Sequence, residues 1–287
     1  MHALSWISFI CCRLSAANRS KSNDEPCTSR GVPHRRGGHR SSLTPEVRNA
    51  FDAATVAALH AAFIELGSQD PVRVVVLAAD GPAFCAGADL NWMRAMAAFS
   101  DTENRDDALQ LARMLRAIAE CPKPVIARVQ GDAFAGGFGL VAACDVAVAV
   151  RTARFCLSEV KLGLVPATIM PHVLRAIGER SAQRYTLTAE VFDAATARAI
   201  GLLHEVAADT AELDAQVQQW ANALAAASPQ ALAAAKRLLA EVAHRPLNEA
   251  LLADTAERIA VARASPDGRE GIAAFLQRRK PSWISSS

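Results

Sequence analysis

The chain has 287 residues, 51% of them hydrophobic and 21% charged, and carries a formal net charge of +2. That length and apolar share are enough for one large core with appendages, and the near balance of charge gives no argument for a nucleic acid or a membrane surface as partner. The cysteines, at positions 11, 12, 27, 85, 121, 144 and 156, form no CxxC pair and no Cys/His cluster, so a reducing, cytoplasmic setting and no metal site are expected.

Residues 1–42 mix Ser, Arg, Gly and His without a period, with Arg13, Arg19, Lys21, Arg30, Arg35, Arg36 and Arg40 against Asp24 and Glu25. They are expected to be disordered or to form a non-native leader outside the working fold. The apolar run at 3–12 is too short to span a bilayer and lacks the basic start of a signal peptide. From residue 45 the pattern becomes regular. Residues 49–66 place apolar side chains at helical spacing up to Gly67, and the β-branched run at 72–79 reads as a buried strand. The stretch GPAFCAGADLNWM at 81–93 follows, with Gly87 just ahead of a helix predicted to begin near Asp89. Helices are expected over 92–99 and 106–120, and the polar run at 100–105 between them reads as a mobile flap or a plain surface loop.

The stretch VIARVQGDAFAGGFGLVAACDVAVAV at 125–150 opens on a short β-branched strand and passes through Ala135, Gly136, Gly137 and Gly139 into an apolar helix. Small residues let backbone N–H groups approach a ligand, and a helix start offers unpaired donors at its positive end. With the turn around Gly87, two such turns can direct one N–H each at a single oxygen, an oxyanion hole. The competing reading is a glycine-rich turn chosen for close packing alone. Next along the chain, Glu159 sits among Leu157, Val160, Leu162 and Leu164, where apolar surroundings should raise its pKa and suit it to proton transfer. His172 and Arg175 follow in 168–175. Helical patterns at 181–188 and 193–201, a strand-like run at 202–207 and Ala- and Leu-rich helices at 212–227, 229–243 and 247–264 complete the chain.

AFCAGADL at 83–90 and VQGDAFAGGFGLVAACDVAVA at 129–149 resemble the two signatures of the crotonase family, the enoyl-CoA hydratases and isomerases. PEVRNAFD at 45–52, ARFCLSEVKLGLVP at 153–166, the segment 182–206 and the tail EGIAAFLQRRKPSW at 270–283 agree in order and spacing. The resemblance implies an α/β fold, a crotonase-like ββα spiral over 43–207 with a C-terminal helical trimerisation region over 208–287. It also implies self-association as a trimer or a dimer of trimers. By the same resemblance, the N–H groups of Ala88 and Gly136 bind the thioester oxygen of an acyl-CoA, while Ala86, Asp89 and Leu90 line the CoA channel. Arg48 lies near the adenine or is an ordinary surface arginine. Phe275 and Lys280 match positions that reach the CoA of a neighbouring subunit, and a plain basic tail at 278–280 is the alternative. CoA is part of the substrate, so no separate cofactor is expected.

Glu159 matches one of the two catalytic glutamates of typical hydratases, and the other position is Gly139, counted here among the substrate-binding positions. The run CLSEVKLGLVPATIMPHVLRAIGER at 156–180 resembles the bacterial methylglutaconyl-CoA and carboxygeranoyl-CoA hydratase-like branch, which makes His172 the candidate partner for a carboxylated acyl chain. The expected reaction is addition of water across a 2-enoyl-CoA double bond by an oxyanion hole and one glutamate. An isomerase moving a 3-enoyl to a 2-enoyl double bond, or a non-catalytic homologue, are the alternatives.

Overall fold

The computed structural model describes residues 7–12 and 48–284. The backbone advances in repeated units of a longer strand, a short strand and helix. The first unit holds β2 (Val74–Ala79), β3 (Ala83–Cys85), α2 (Leu90–Met96) and α3 (Asp101–Ala119). The second holds β4 (Val125–Val129), β5 (Asp132–Phe134) and α4 (Gly136–Ala143), and the third β6 (Val146–Val150), β7 (Arg154–Cys156) and α5 (Met170–Thr188). The longer strands stack with β1 (Ile7–Cys12) and β9 (Glu205–Ala207) in one parallel sheet ordered β1-β2-β4-β6-β9. The short strands form a second sheet, β3-β5-β7 in parallel with β8 (Phe192–Asp193) antiparallel at its edge. This is the ββα spiral expected from the sequence.

A parallel sheet covered on both faces needs strands that are apolar throughout, and β2, VVVLAA, is buried at every position. Helix α1 (Ala53–Ser68) packs against α3 and turns Val56, Leu59, Phe63 and Leu66 into the same core, and it starts where the Asp52 carboxylate accepts from the Thr55 N–H. On the other flank an aromatic cluster ties α4 to the second sheet. The Phe138 ring meets Phe155 edge-on at 6.4 Å, and Phe192 stacks on Phe155 at 6.0 Å. Pairs of this geometry contribute about 0.5–1.5 kcal/mol beyond area burial.

Two expectations are corrected. Residues 7–12, within the stretch read as disordered leader, form β1, paired in register Ile7↔Val74 to Cys12↔Ala79. The segment ISFICC is rich in strand-forming residues, and without it β2 would present an unpaired edge. The remainder of the 1–42 leader lies outside the described residues. The polar run at 100–105 is not a flap but the capped first turn of α3: the Ser100 and Glu103 side chains each accept from the other's backbone N–H.

After α6 (Ala194–Ala199) and β9 the described chain is helical. Helix α7 (Thr210–Ala226) seats Leu213, Val217 and Ala221 on the sheet. Helices α8 (Pro229–Val242), α9 (Glu249–Ala264) and α10 (Pro266–Leu276) bury little: none, Leu251 and Ala274 respectively. Among the described residues, no helix is long and apolar enough to cross a membrane.

Candidate active site

Strands β3, β5 and β7 run side by side, with Cys85 opposite Ala133 and Phe134 opposite Cys156. Ala88 comes three residues after Cys85, Gly136 two after Phe134 and Glu159 three after Cys156. Three residues distant in sequence therefore leave one sheet at the same end, the carboxyl ends of its strands, where α/β proteins bind ligands.

Ala88 sits in an isolated parallel bridge to Phe51. The Phe51 N–H donates to Gly87 O at 2.9 Å, and the Asp89 N–H donates to Phe51 O at 3.0 Å. In a parallel bridge this leaves the N–H of the intervening residue pointing to the opposite side. The Gly87 turn itself lies against the β5–α4 turn: a Cβ on Gly87 (φ +95°) would lie 3.1 Å from Ala135 Cβ and 3.8 Å from Gly136 N. Gly136 is the first residue of α4, whose start has no side-chain cap, so its N–H has no intrahelical acceptor. Ala135 holds the turn at φ 49°, unusual for a residue with a Cβ. It is fixed there by donating to Cys156 O at 2.8 Å and accepting from the Gly139 N–H at 3.2 Å.

Glu159 opens a 3₁₀ turn, Glu159–Leu162, closed by Gly163 in the left-handed conformation. Its Oε2 is buried with no hydrogen-bond partner. Burial pushes its pKa up from the ordinary glutamate value, opposed in part by a backbone hydrogen bond. The sequence neighbours are only partly responsible: Leu157 is buried but Leu162 and Leu164 face outward. Desolvation comes from the fold around the turn.

Gly139, which the resemblance matches to the second glutamate position of typical hydratases, has no room for a side chain. Gly139 is buried inside α4, and a Cβ on it would lie 2.3 Å from Ile169 Cγ2. As a substrate-binding position Gly139 is thus covered by Ile169, at the entry to α5. The other predicted residues are spread more widely. Ala86 donates to Arg48 O at 3.1 Å beside the bridge. The Asp89 carboxylate caps α2, accepting from Asn91 N at 2.8 Å and Trp92 N at 3.2 Å, and Leu90 beside it is exposed. The Arg48 guanidinium is engaged by Asp132 at 3.2 Å, a carboxylate that also holds Arg154 at 2.6 Å. His172 is half-buried on the first turn of α5, and burial together with Arg175 lowers its pKa against the opposing pull of Glu120. Its neutral imidazole is favoured, so it suits a hydrogen-bond donor better than a cation. Phe275 and Lys280 are exposed, on α10 and in the tail after it.

The sequence reading missed Phe51, Ile169 and the pair Trp92–Asp107, in which the indole N–H donates at 3.1 Å. No group of three or more His, Cys, Asp or Glu residues among those described is placed to hold a metal. Two surface cavities, of about 460 Å³ beside Met170 and Leu187 and about 350 Å³ beside His60 and Arg113, include none of Ala88, Gly136 and Glu159.

The sequence model of the enoyl-CoA hydratase/isomerase family matches residues 43–286. The crystal structure of an enoyl-CoA hydratase from Shewanella pealeana ATCC 700345 superposes with a TM-score of 0.80 at 42% identity, over 83% of this chain and 89% of that one. Pseudomonas aeruginosa AtuE superposes with a TM-score of 0.80 at 36% identity, over 84% and 93% of the two chains. The 2,3-dehydroadipyl-CoA hydratase of Escherichia coli (strain K12) is 35% identical over 240 residues, covering 83% of this chain and 91% of its own. With a family match over most of its length and the fold and strand-end geometry described above, the chain belongs to the enoyl-CoA hydratase/isomerase family.

Proposed function

We propose that the protein adds water across the double bond of a 2-enoyl-CoA. The observation that carries this reading is Glu159 Oε2, buried and unpartnered at the strand ends where the Ala88 and Gly136 turns meet. A buried unpaired carboxylate oxygen is costly, about 1–3 kcal/mol or more, and such sites are kept for chemistry.

In the proposed reaction the two N–H groups hold the thioester oxygen and stabilise the enolate that forms when a water oxygen bonds to Cβ. Glu159 takes the proton from that water and returns it to Cα as the enolate collapses, so one water is added and the carboxylate is regenerated. Specificity for a branched or carboxylated acyl chain is supported by the resemblance of 156–180 and by the dicarboxylic substrate in the name of the E. coli relative. His172 is our candidate donor to that carboxylate. Helices α8–α10 expose Leu239, Ile259, Val261 and Ile272, which supports assembly of three chains or two sets of three through this region. A cytoplasmic location rests on cysteine usage alone.

A second reading is favoured by the closed space at Gly139: with one carboxylate, the protein is an isomerase moving a proton between carbons of a 3-enoyl-CoA. Purified protein incubated with crotonyl-CoA, 2,3-dehydroadipyl-CoA, 3-methylglutaconyl-CoA and a 3-enoyl-CoA separates the readings by product mass. Gain of one water from a 2-enoyl-CoA is expected. A new conjugated thioester of unchanged mass from the 3-enoyl-CoA alone makes it an isomerase, and binding without turnover makes it a non-catalytic homologue.

A further inference from the structure

We propose that Phe51 positions both oxyanion donors at once, its backbone holding the Ala88 turn and its ring edge setting the place of Gly136. The proposal rests on the reading that the Ala88 and Gly136 N–H groups bind the thioester oxygen. Phe51 comes from the chain ahead of α1, outside both glycine-rich turns. Its N–H and C=O fix Gly87 and Asp89, the residues on either side of Ala88, at 2.9 and 3.0 Å. Its ring meets the other turn. A Cβ on Gly136 would lie 2.2 Å from Phe51 Cζ and 2.8 Å from Cε1, so the ring tip occupies the space beside the Gly136 backbone.

Phe51 is itself held on every side. The preceding Asn49, buried and at φ 56°, donates through Nδ2 to the carbonyls of Asp80 and Ala83, both at 2.6 Å. The following Asp52 caps α1, accepting from Thr55 N at 2.9 Å and Thr55 Oγ1 at 2.7 Å. The ring is 1% exposed and lies 5.9 Å from the Trp92 ring, whose N–H is bound by Asp107. One rigid side chain thus spans the two halves of the hole. The turn it presses on carries Ala135 at a strained positive φ, so it has somewhere to relax if the contact is lost. Misplacing a catalytic group by about 1 Å costs on the order of a hundredfold in rate.

The test compares kcat, KM and thermal unfolding for Phe51→Leu, Phe51→Tyr, Ala88→Pro and Leu213→Ala with a 2-enoyl-CoA substrate. Leucine keeps most of the buried volume but falls short of Gly136. Tyrosine adds an oxygen at Cζ, the atom nearest Gly136. Ala88→Pro deletes one proposed donor, and Leu213→Ala empties a buried site on α7 remote from the hole. Expected is a fall in kcat of roughly tenfold to hundredfold in both Phe51 variants, with KM changed less than about threefold, and a still larger fall in Ala88→Pro. Leu213→Ala keeps the parent kcat although it lowers the unfolding temperature. Phe51 variants that retain kcat within about threefold, or that lose it only in step with Leu213→Ala, overturn the positioning role while Ala88→Pro still loses activity. A folded Ala88→Pro with unchanged kcat removes the oxyanion reading itself, and this proposal with it.

Discussion

Ile169 fills the space that a side chain on Gly139 would need, with its Cγ2 2.3 Å and its Cβ 2.7 Å from where a Cβ on Gly139 would stand. The two residues face each other across the contact between α4 and the start of α5, and Ile169 is 2% exposed. The packing at Gly139 therefore leaves no room for a carboxylate, and placing one there takes two changes.

Gly139→Glu alone is expected to destabilise the protein by more than about 3 kcal/mol, since it combines overpacking with burial of a charge. Ile169→Ala does not relieve it, because the Ile169 Cβ is itself in the way. Pairing Gly139→Glu with Ile169→Gly is expected to recover a large part of that loss. Urea unfolding of the three variants checks the order, and equal stability for Gly139→Glu and the parent would refute it.

Burial raises the Glu159 pKa, with a consequence for rate and an opposite one for stability. As proton acceptor it works ionised, so kcat/KM should fall as pH drops through a pKa above the ordinary glutamate value of about 4.3. For folding, a raised native pKa means the folded state holds the proton more tightly than the unfolded chain. Stability is then fully retained below the unfolded pKa and lost as pH rises through the folded one. Glu159→Gln should therefore raise the urea midpoint at pH 7 and lose that advantage near pH 4, and a variant less stable than the parent at pH 7 would contradict this.

Asp132 is buried and accepts from Arg154 Nε and its backbone N–H, both at 3.1 Å, besides the two guanidinium contacts to Arg154 and Arg48. Removing the shared acceptor should matter more than removing either half-exposed arginine. Asp132→Ala is expected to cost about 2–3 kcal/mol and Arg48→Ala less than about 1 kcal/mol, measured by chemical denaturation.

Arg73, 6% exposed at the approach to β2, donates to Ala227 O at 2.5 Å and to Trp283 O at 3.3 Å. The Trp283 indole in turn donates to Ala226 O at 3.1 Å. This one side chain fastens the α7–α8 junction and the C-terminal tail to the core sheet. Arg73→Met should cost about 1–3 kcal/mol and speed hydrogen exchange at residues 281–284 before it changes exchange in β2.

The strand–turn–helix junctions that carry the proposed site residues were legible because they are local. Ala88 and Gly136 stand at strand–turn–helix junctions marked by small residues, and Glu159 lies in a run whose spacing repeats that of the family. Phe51 and Ile169 were not legible, because a glycine shows that something approaches closely but not what approaches. Gly136 meets a ring from ahead of α1, and Gly139 meets a side chain from beyond β7. The start of α3 was readable in Ser100 and Glu103, spaced as a capping box, but its run of charges resembles a solvated loop equally well. Strand β1 is visible only through its partner β2, which sits at its side in space but far along the chain.

The most direct test is turnover of crotonyl-CoA and 2,3-dehydroadipyl-CoA in ¹⁸O-labelled water by the parent protein and by Glu159→Gln, followed by loss of the conjugated thioester absorbance and by product mass. The expected product gains one labelled water, and the rate falls on the order of 10²- to 10⁴-fold in the variant. A product without the label, or equal rates for the two proteins, would contradict the proposed reaction.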